Sequence, residues 1–467
     1  MKTKASPLLT ALPVLVGVVA IPLLIAWWFS PSNEQLHLRV PGTDAAPGGE
    51  TGGGNPILAG KVIPGDGKPA ELPGDWPQFR GPNRDAIAAN PPNISRDWRT
   101  SPPREVWSLD VGEGYAGVAI RDGRVYLLDY DRNAKQSALR CLSLADGREI
   151  WRYTYPLTIK RNHGMTRTIP VVTEKLVVAL DSKCNVLCVD AMNGELKWSI
   201  SLVREFGASV PEWYAGQCPL VDGDKVILAP GGKDALLLAV ELATGKPLWR
   251  TPNPHGWKMT HSSITPMDFA GHRFFLYCAN KGVVGVDAKD GSPLFETVDW
   301  KISLATVPSP LPLPDGRIFF TGGYNAGSLM LELHEETGRI VPKSLFRLPA
   351  EVFGATQHTP IFRGNHIYGT RADGRFVCLG LDGKAVWASG PGENFGLGSF
   401  ILAGDLILAM NDSGKLSLIE ATPSRFNLPG QTQVLQGRES WAPIALASGR
   451  LIVRDLTHLV CLDVGNK

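Results

Sequence analysis

The sequence predicts an all-β chain in which eight four-stranded blades close into a β-propeller, preceded by one transmembrane helix and a flexible linker. Three observations predict it. A phrase of turn, glycine and tryptophan recurs through most of the chain. The last copy of that phrase lacks a strand that stands instead near the beginning. One long apolar run, followed by a Gly/Pro-rich stretch, occupies the N-terminus.

The repeat reads Ala145-Asp146-Gly147 with Trp151, Met192-Asn193-Gly194 with Trp198, Ala243-Thr244-Gly245 with Trp249, and Leu381-Asp382-Gly383 with Trp387. Lys289-Asp290-Gly291 keeps the spacing with Phe295, whereas Glu336-Thr337-Gly338 has Pro342 at the aromatic position. The turn glycines from Gly147 to Gly383 are 47, 51, 46, 47 and 45 residues apart, and Gly465 follows after 82, two periods with a degenerate turn at Thr422-Pro423-Ser424. Such dipeptides join strands tightly, because Gly supplies positive φ. Each period holds an earlier hairpin too, as at Asp122-Gly123 and Asp222-Gly223. Four short strands per ~45 residues is the signature of a propeller blade. No 3.6-residue apolar periodicity competes with it.

Closure follows from the ends. The eighth repeat stops two residues after Gly465, before any Trp-bearing outer strand. Arg104-Glu105-Val106-Trp107-Ser108-Leu109-Asp110 matches the outer strands of the other blades and is expected to complete the eighth. A closed ring leaves no open sheet edge between its first and last blades.

From Pro7 to Phe29 the only conventional polar side chain is Thr10, over 23 residues. A helix of that length spans a hydrocarbon core of ~30 Å with some tilt. Lys2 and Lys4 precede the run and no cation follows until Arg39, which keeps the N-terminus inside and exports the rest. Residues 1–29 therefore read as a transmembrane signal-anchor, 30–74 as a Gly/Pro-rich flexible linker and 75–467 as the propeller. The expected location is a single-pass membrane protein with its propeller on the extracytoplasmic, periplasmic side. A cleaved signal peptide is the competing reading of the same run.

These phrases resemble the PQQ-like (pyrroloquinoline quinone-like) repeat family, found in quinoprotein dehydrogenases and in the scaffold of the outer-membrane β-barrel assembly machinery. Asp75-Trp76-Pro77-Gln78-Phe79-Arg80-Gly81-Pro82-Asn83-Arg84 resembles a segment that precedes the first blade in many bacterial members. The resemblance implies that Trp151, Trp198, Trp249 and Trp387 each pack on the turn of a neighbouring blade. It also frames the chemistry. The dehydrogenases carry a vicinal disulfide, a metal held by acidic and amide side chains, and a catalytic Asp. This chain has no Cys-Cys pair and no Cys-x-x-Cys-His, and the remaining ligands find no matching motif.

Of the seven cysteines, Cys141, Cys188, Cys378 and Cys461 recur in strand contexts of different blades, which makes them small core residues. Asp129-Tyr130-Asp131-Arg132-Asn133 offers alternating oxygens on an expected loop, but lacks the Gly and Glu of a calcium loop. A net charge of +2 supplies no basic field for nucleic acid. The loops that lead into each blade's first strand converge on one face around the central channel. Arg167, Trp213, Gln217, Lys258, His261, His358 and Trp441 lie on them and are the candidate ligand- or partner-binding residues. No catalytic residue and no metal ligand is assigned. The function read from this pattern is a membrane-anchored, non-enzymatic binding or protein-assembly scaffold. It meets the membrane through its N-terminal helix and a protein partner or small ligand at the channel face, with no cofactor. The alternatives are a PQQ-dependent oxidoreductase and a glycan- or ligand-sensing propeller.

Overall fold

A computed structural model describes residues 54–465, together with 21 and 22. It forms eight antiparallel sheets, and each supplies one blade. The inner strands of blades 1 to 8 begin at Val118, Val171, Leu220, Thr265, Leu311, Ile361, Phe400 and Ala445. Blades 2 to 7 take their four strands consecutively from the sequence. The eighth takes its outer strand from Arg104–Asp110, which pairs antiparallel with His458–Asp463 as the repeat register predicts. Arg454, 2% exposed, adds a second closure by donating to the carbonyls of Ala116 and Gly112 between blades 8 and 1.

The repeat tryptophans join the blades. A Cβ at Gly147, Gly194, Gly245 or Gly291 would lie 2.4–2.8 Å from the ring of Trp107, Trp151, Trp198 or Trp249 of the preceding blade, so no side chain fits there. Each of those glycines also sits at φ +72° to +77°, where a Cβ is disfavoured. The indole N–H then donates across the gap: Trp107 to Leu144, Trp151 to Ala191, Trp198 to Leu242 and Trp387 to Thr422. Cys141, Cys188, Cys378 and Cys461 stand opposite these tryptophans in the adjacent strand. All seven thiols are free and buried.

Residues 54–74, expected as linker, are part of the folded body. Pro56–Ala59 forms a 3-10 turn, and Lys61–Pro64 pairs with the outer strand of blade 1 as a fifth strand. The earlier part of the expected linker, 30–53, and the apolar run of 7–29 apart from 21 and 22 lie outside the described residues. Among the described residues no helix is long and apolar enough to cross a membrane. The expected loop at Asp129–Asn133 is also corrected. Asp129 and Asp131 belong to the strand Arg124–Asp131, and Asp129 is buried in an ion pair with Arg140 at 2.9 Å.

Residues 75–98 run through the ring as an arm. Trp76 bridges Ile120 of blade 1, and Pro77 accepts from Val172 of blade 2. Arg84 donates to Pro219 of blade 3, and Arg80 to Thr359 and Pro360 of blade 6. Ala86 and Ala88 bond Leu402 of blade 7. A segment bonded to inner strands on opposite sides of a ring must cross its centre, so the arm closes the channel from the face that bears the first-to-second-strand turns. We call that face lower and the opposite one upper.

Candidate functional site

The connections into each inner strand gather on the upper face. Their positions are fixed by a chain of hydrogen bonds just inside the channel. Ile169 N–H donates to Cys218 Sγ, Cys218 N–H to Ser263 Oγ, Ser263 N–H to Ser309 Oγ, and Ser309 N–H to Thr359 Oγ1. Five successive blades are thereby linked at one level. Sequence reasoning missed this chain. Its signal was available, since 218, 263, 309 and 359 keep the repeat spacing and three of the four directly precede a proline.

Above that level lies a group of rings and cations. The Arg167 guanidinium stands 5.5 Å from the Tyr115 ring centroid and donates to the carbonyls of Gly164, Asn162 and His163. The Tyr115 ring stacks on Trp441, with centroids 5.3 Å apart and planes 23° off parallel. Tyr115 Oη donates to Glu439, and Trp441 Nε1 to Asp412 at 2.8 Å. On the other flank, Lys183 Nζ lies 5.8 Å over the Tyr214 ring, and Trp213 meets His261 at 6.4 Å. His261 Nε2 faces the Tyr214 carbonyl at 2.9 Å. A carbonyl only accepts, so Nε2 carries the proton.

Electrostatics follow from burial. Desolvation pulls the Arg167 guanidinium down to about 10, and no carboxylate forms an ion pair with it among the described residues. Burial first, and then the charge of Arg167, holds the His261 imidazole at about 4. The fold thus brings together Arg167, Trp213, His261 and Trp441, along with Tyr115 and Tyr214, which sequence reasoning had not singled out.

The other candidates part from this group. Gln217 is 1% exposed, and its amide bonds both the N–H and the carbonyl of Ala229, so it braces the blade 3 interior. Lys258 is exposed on the blade 4 connection, its backbone held by Asn280. His358 sits deeper, donating to the Leu397 carbonyl and packing on Phe400. With Arg80, Thr359 and Ser399 it lines a small space of about 20 Å³. Arg80 and Arg84 are both buried, and desolvation lowers both to about 10. Among the described residues no three His, Cys, Asp or Glu side chains gather as a metal site.

Fold and rim define a closed eight-bladed propeller with an aromatic, cationic upper face. The profile of the family described as outer membrane protein assembly factor BamB matches residues 97–209 and 135–306. The chain closes as an eight-bladed β-propeller and carries PQQ-like repeats over the matched stretch. BamB from Moraxella catarrhalis has a similar structure over 77% of this chain and 99% of its own, at 12% identity and a TM-score of 0.54. The computationally designed Ika8 protein is similar over the same 77% and 99%, at 11% identity and 0.51. A quinohemoprotein alcohol dehydrogenase from Comamonas testosteroni aligns over 84% of this chain and 81% of its own, at 12% identity and 0.46. At such identities the likeness is one of fold alone. No curated protein matches the chain in sequence.

Proposed function

We propose that this propeller is a non-enzymatic docking scaffold, tethered to a membrane by its N-terminal apolar run and held on the extracytoplasmic side. Its upper rim receives a protein partner around Tyr115, Arg167, Trp213, His261 and Trp441. The observation that carries the reading is how these groups use their polar atoms. Arg167 is fastened by three backbone carbonyls and His261 by one, while Trp213 and Trp441 remain partly exposed. Rigid aromatic and Arg side chains of this kind anchor protein interfaces. Charge on Arg167 without a carboxylate partner favours an acidic patch on the partner.

The quinone alternative asks for space. Small-molecule sites occupy roughly 300–1,000 Å³. The space beside Arg80 and His358, lined on one side by Trp76, Phe79 and Ala86 of the arm, is about 20 Å³. The residues there do not fit a tricyclic quinone, so the proposal includes no PQQ.

The test pairs two experiments on the full chain in detergent. Titration with PQQ, with and without Ca²⁺, is expected to give no heat, and alcohol is expected to reduce no dye. A partner retained by the wild-type chain is expected to be lost by Trp441→Ala and Trp213→Ala at unchanged Tm, each costing at least ~2 kcal/mol of binding if it is a hot spot. Alcohol-dependent dye reduction abolished by Arg167→Ala would overturn the scaffold reading.

A further inference from the structure

Residues 69–73 and the arm that follows them cover lower-face turns of blades 1, 7 and 8, while a hollow at blades 2 and 3 is open. The first-to-second-strand turns of those three blades carry Gly123, covered by Ala70, and Gly404 and Gly449, approached by Pro91 and Pro92 of the arm. A Cβ at Gly123 would meet the Ala70 carbonyl at 1.9 Å, and Cβ positions at Gly404 and Gly449 lie 3.9 and 3.8 Å from Pro91 and Pro92. Ala70 N–H donates to the Gly123 carbonyl at 3.0 Å, which also takes the Leu144 N–H. Ala70 and Leu72 pack on the core shared by blades 8 and 1.

The matching turn of blade 3 has no such cover. Gly223, at φ +62°, has nothing within 4 Å of a Cβ. The carbonyl of Asp224 takes the Leu242 N–H at 2.8 Å, as Gly123 takes that of Leu144. Over this turn opens a hollow of about 490 Å³, walled by Val172, Leu176, Val221 and Leu242, with Pro77 and Gln78 of the arm at one end. The hollow is therefore a continuation of the arm's own interface, joined to it where Val172 N–H donates to Pro77.

We propose that this hollow binds an extended, proline-containing segment of a protein partner, laid across blades 2 and 3 as residues 69–73, just before the arm, are laid across blades 8 and 1. The chemistry matches that precedent. Val172, Leu176, Val221 and Leu242 give apolar ground between Arg121, Glu174 and Lys175, the turn offers a backbone carbonyl to one N–H, and the remaining backbone faces water. Proline suits such a path, because it needs no donor partner and lowers the entropy of an extended chain. The site is on the face opposite the rim, so it stands independently of the reading proposed there.

The experiment selects short peptides from a displayed library on the full chain in detergent, with Gly223→Asn as the counter-selection target. Asn tolerates the left-handed region, so this variant fills the hollow without straining the turn. Gly271→Asn, at the open turn of blade 4 with φ +76°, is the control. The expected result is enrichment of apolar, proline-containing peptides that bind the wild type and Gly271→Asn alike and Gly223→Asn at least tenfold more weakly. Hydrogen exchange on the wild-type chain should slow at residues 171–176 and 220–224 when they bind. Peptides that bind Gly223→Asn equally, protection elsewhere, or no enrichment at all would overturn the proposal.

Discussion

His261 and His358 show what burial does to a residue whose type alone suggests proton chemistry. Each gives its Nε2 proton to a backbone carbonyl, and burial, with Arg167 and Arg80 nearby, holds each imidazole at about 4. An unfolded histidine titrates near ~6.5. Between those values the unfolded chain binds more protons than the folded one, so stability rises with pH across the window. The contribution is complete above about pH 6.5 and is lost as pH falls toward 4, at most of order 3 kcal/mol per histidine. Urea midpoints measured from pH 7 to 4.5 should fall steadily for the wild type and less steeply for the His261→Gln, His358→Gln double variant. Equal slopes would contradict these shifted titrations. The same scale shows why the candidate set was only partly legible. The repeat register told which loops converge, but nothing in the sequence told which way each side chain points. Gln217 turned inward to Ala229 while Trp213, four residues earlier, stayed at the rim.

Between blades the legible signal was strong, because Gly and Trp are demanded by geometry at fixed spacing. Where the phrase degenerates, the structure improvises. Blade 5 has Pro342 at the aromatic position, and Phe346 lies over Gly383 of blade 6 instead, 3.1 Å from a Cβ there. Trp249 keeps its place over Gly291, yet its indole N–H is buried without a partner, and the Ala288 carbonyl is taken by Lys225 Nζ at 3.1 Å. Trp198 makes the corresponding bond, to Leu242 at 2.8 Å. Both rings are 8% exposed, so truncation to Phe removes similar packing. Trp198→Phe should then cost about 1 kcal/mol more than Trp249→Phe, the net worth of one hydrogen bond. Chemical denaturation of the two variants beside wild type checks this, and equal costs would mean that the indole bonds add nothing to blade packing.

At the scale of the whole ring, the closing strand was readable from the missing end of the eighth repeat, but the arm was not. Residues 75–98 have no periodicity; their structure is set by the channel they cross. Arg80, Arg84 and Ala86 adopt φ of +58° to +63°, a region unfavourable for side chains unless the surroundings hold it. Arg80 shows what holds it. The residue is 8% exposed, and its guanidinium donates to the carbonyls of Arg84, Asp85, Thr359 and Pro360, pinning the arm to itself and to blade 6. A planar fork serves four acceptors at once, which a lysine ammonium with three donors on one atom does not. Arg80→Ala leaves buried backbone carbonyls without their donor, at about 1–3 kcal/mol for each that stays unsatisfied, and Arg80→Lys should recover only part of the loss. Truncation then separates arm from strand. A chain starting at residue 99 keeps Arg104–Asp110 but loses the arm, and should melt below one starting at 54 yet above one starting at 111. Proteolysis should cut the chain starting at 99 first in the inner-strand connections that the arm braces, around Pro219 and Pro360. Equal melting of the chains starting at 54 and 99 would reduce the arm to a passenger and leave ring closure to the strand and Arg454.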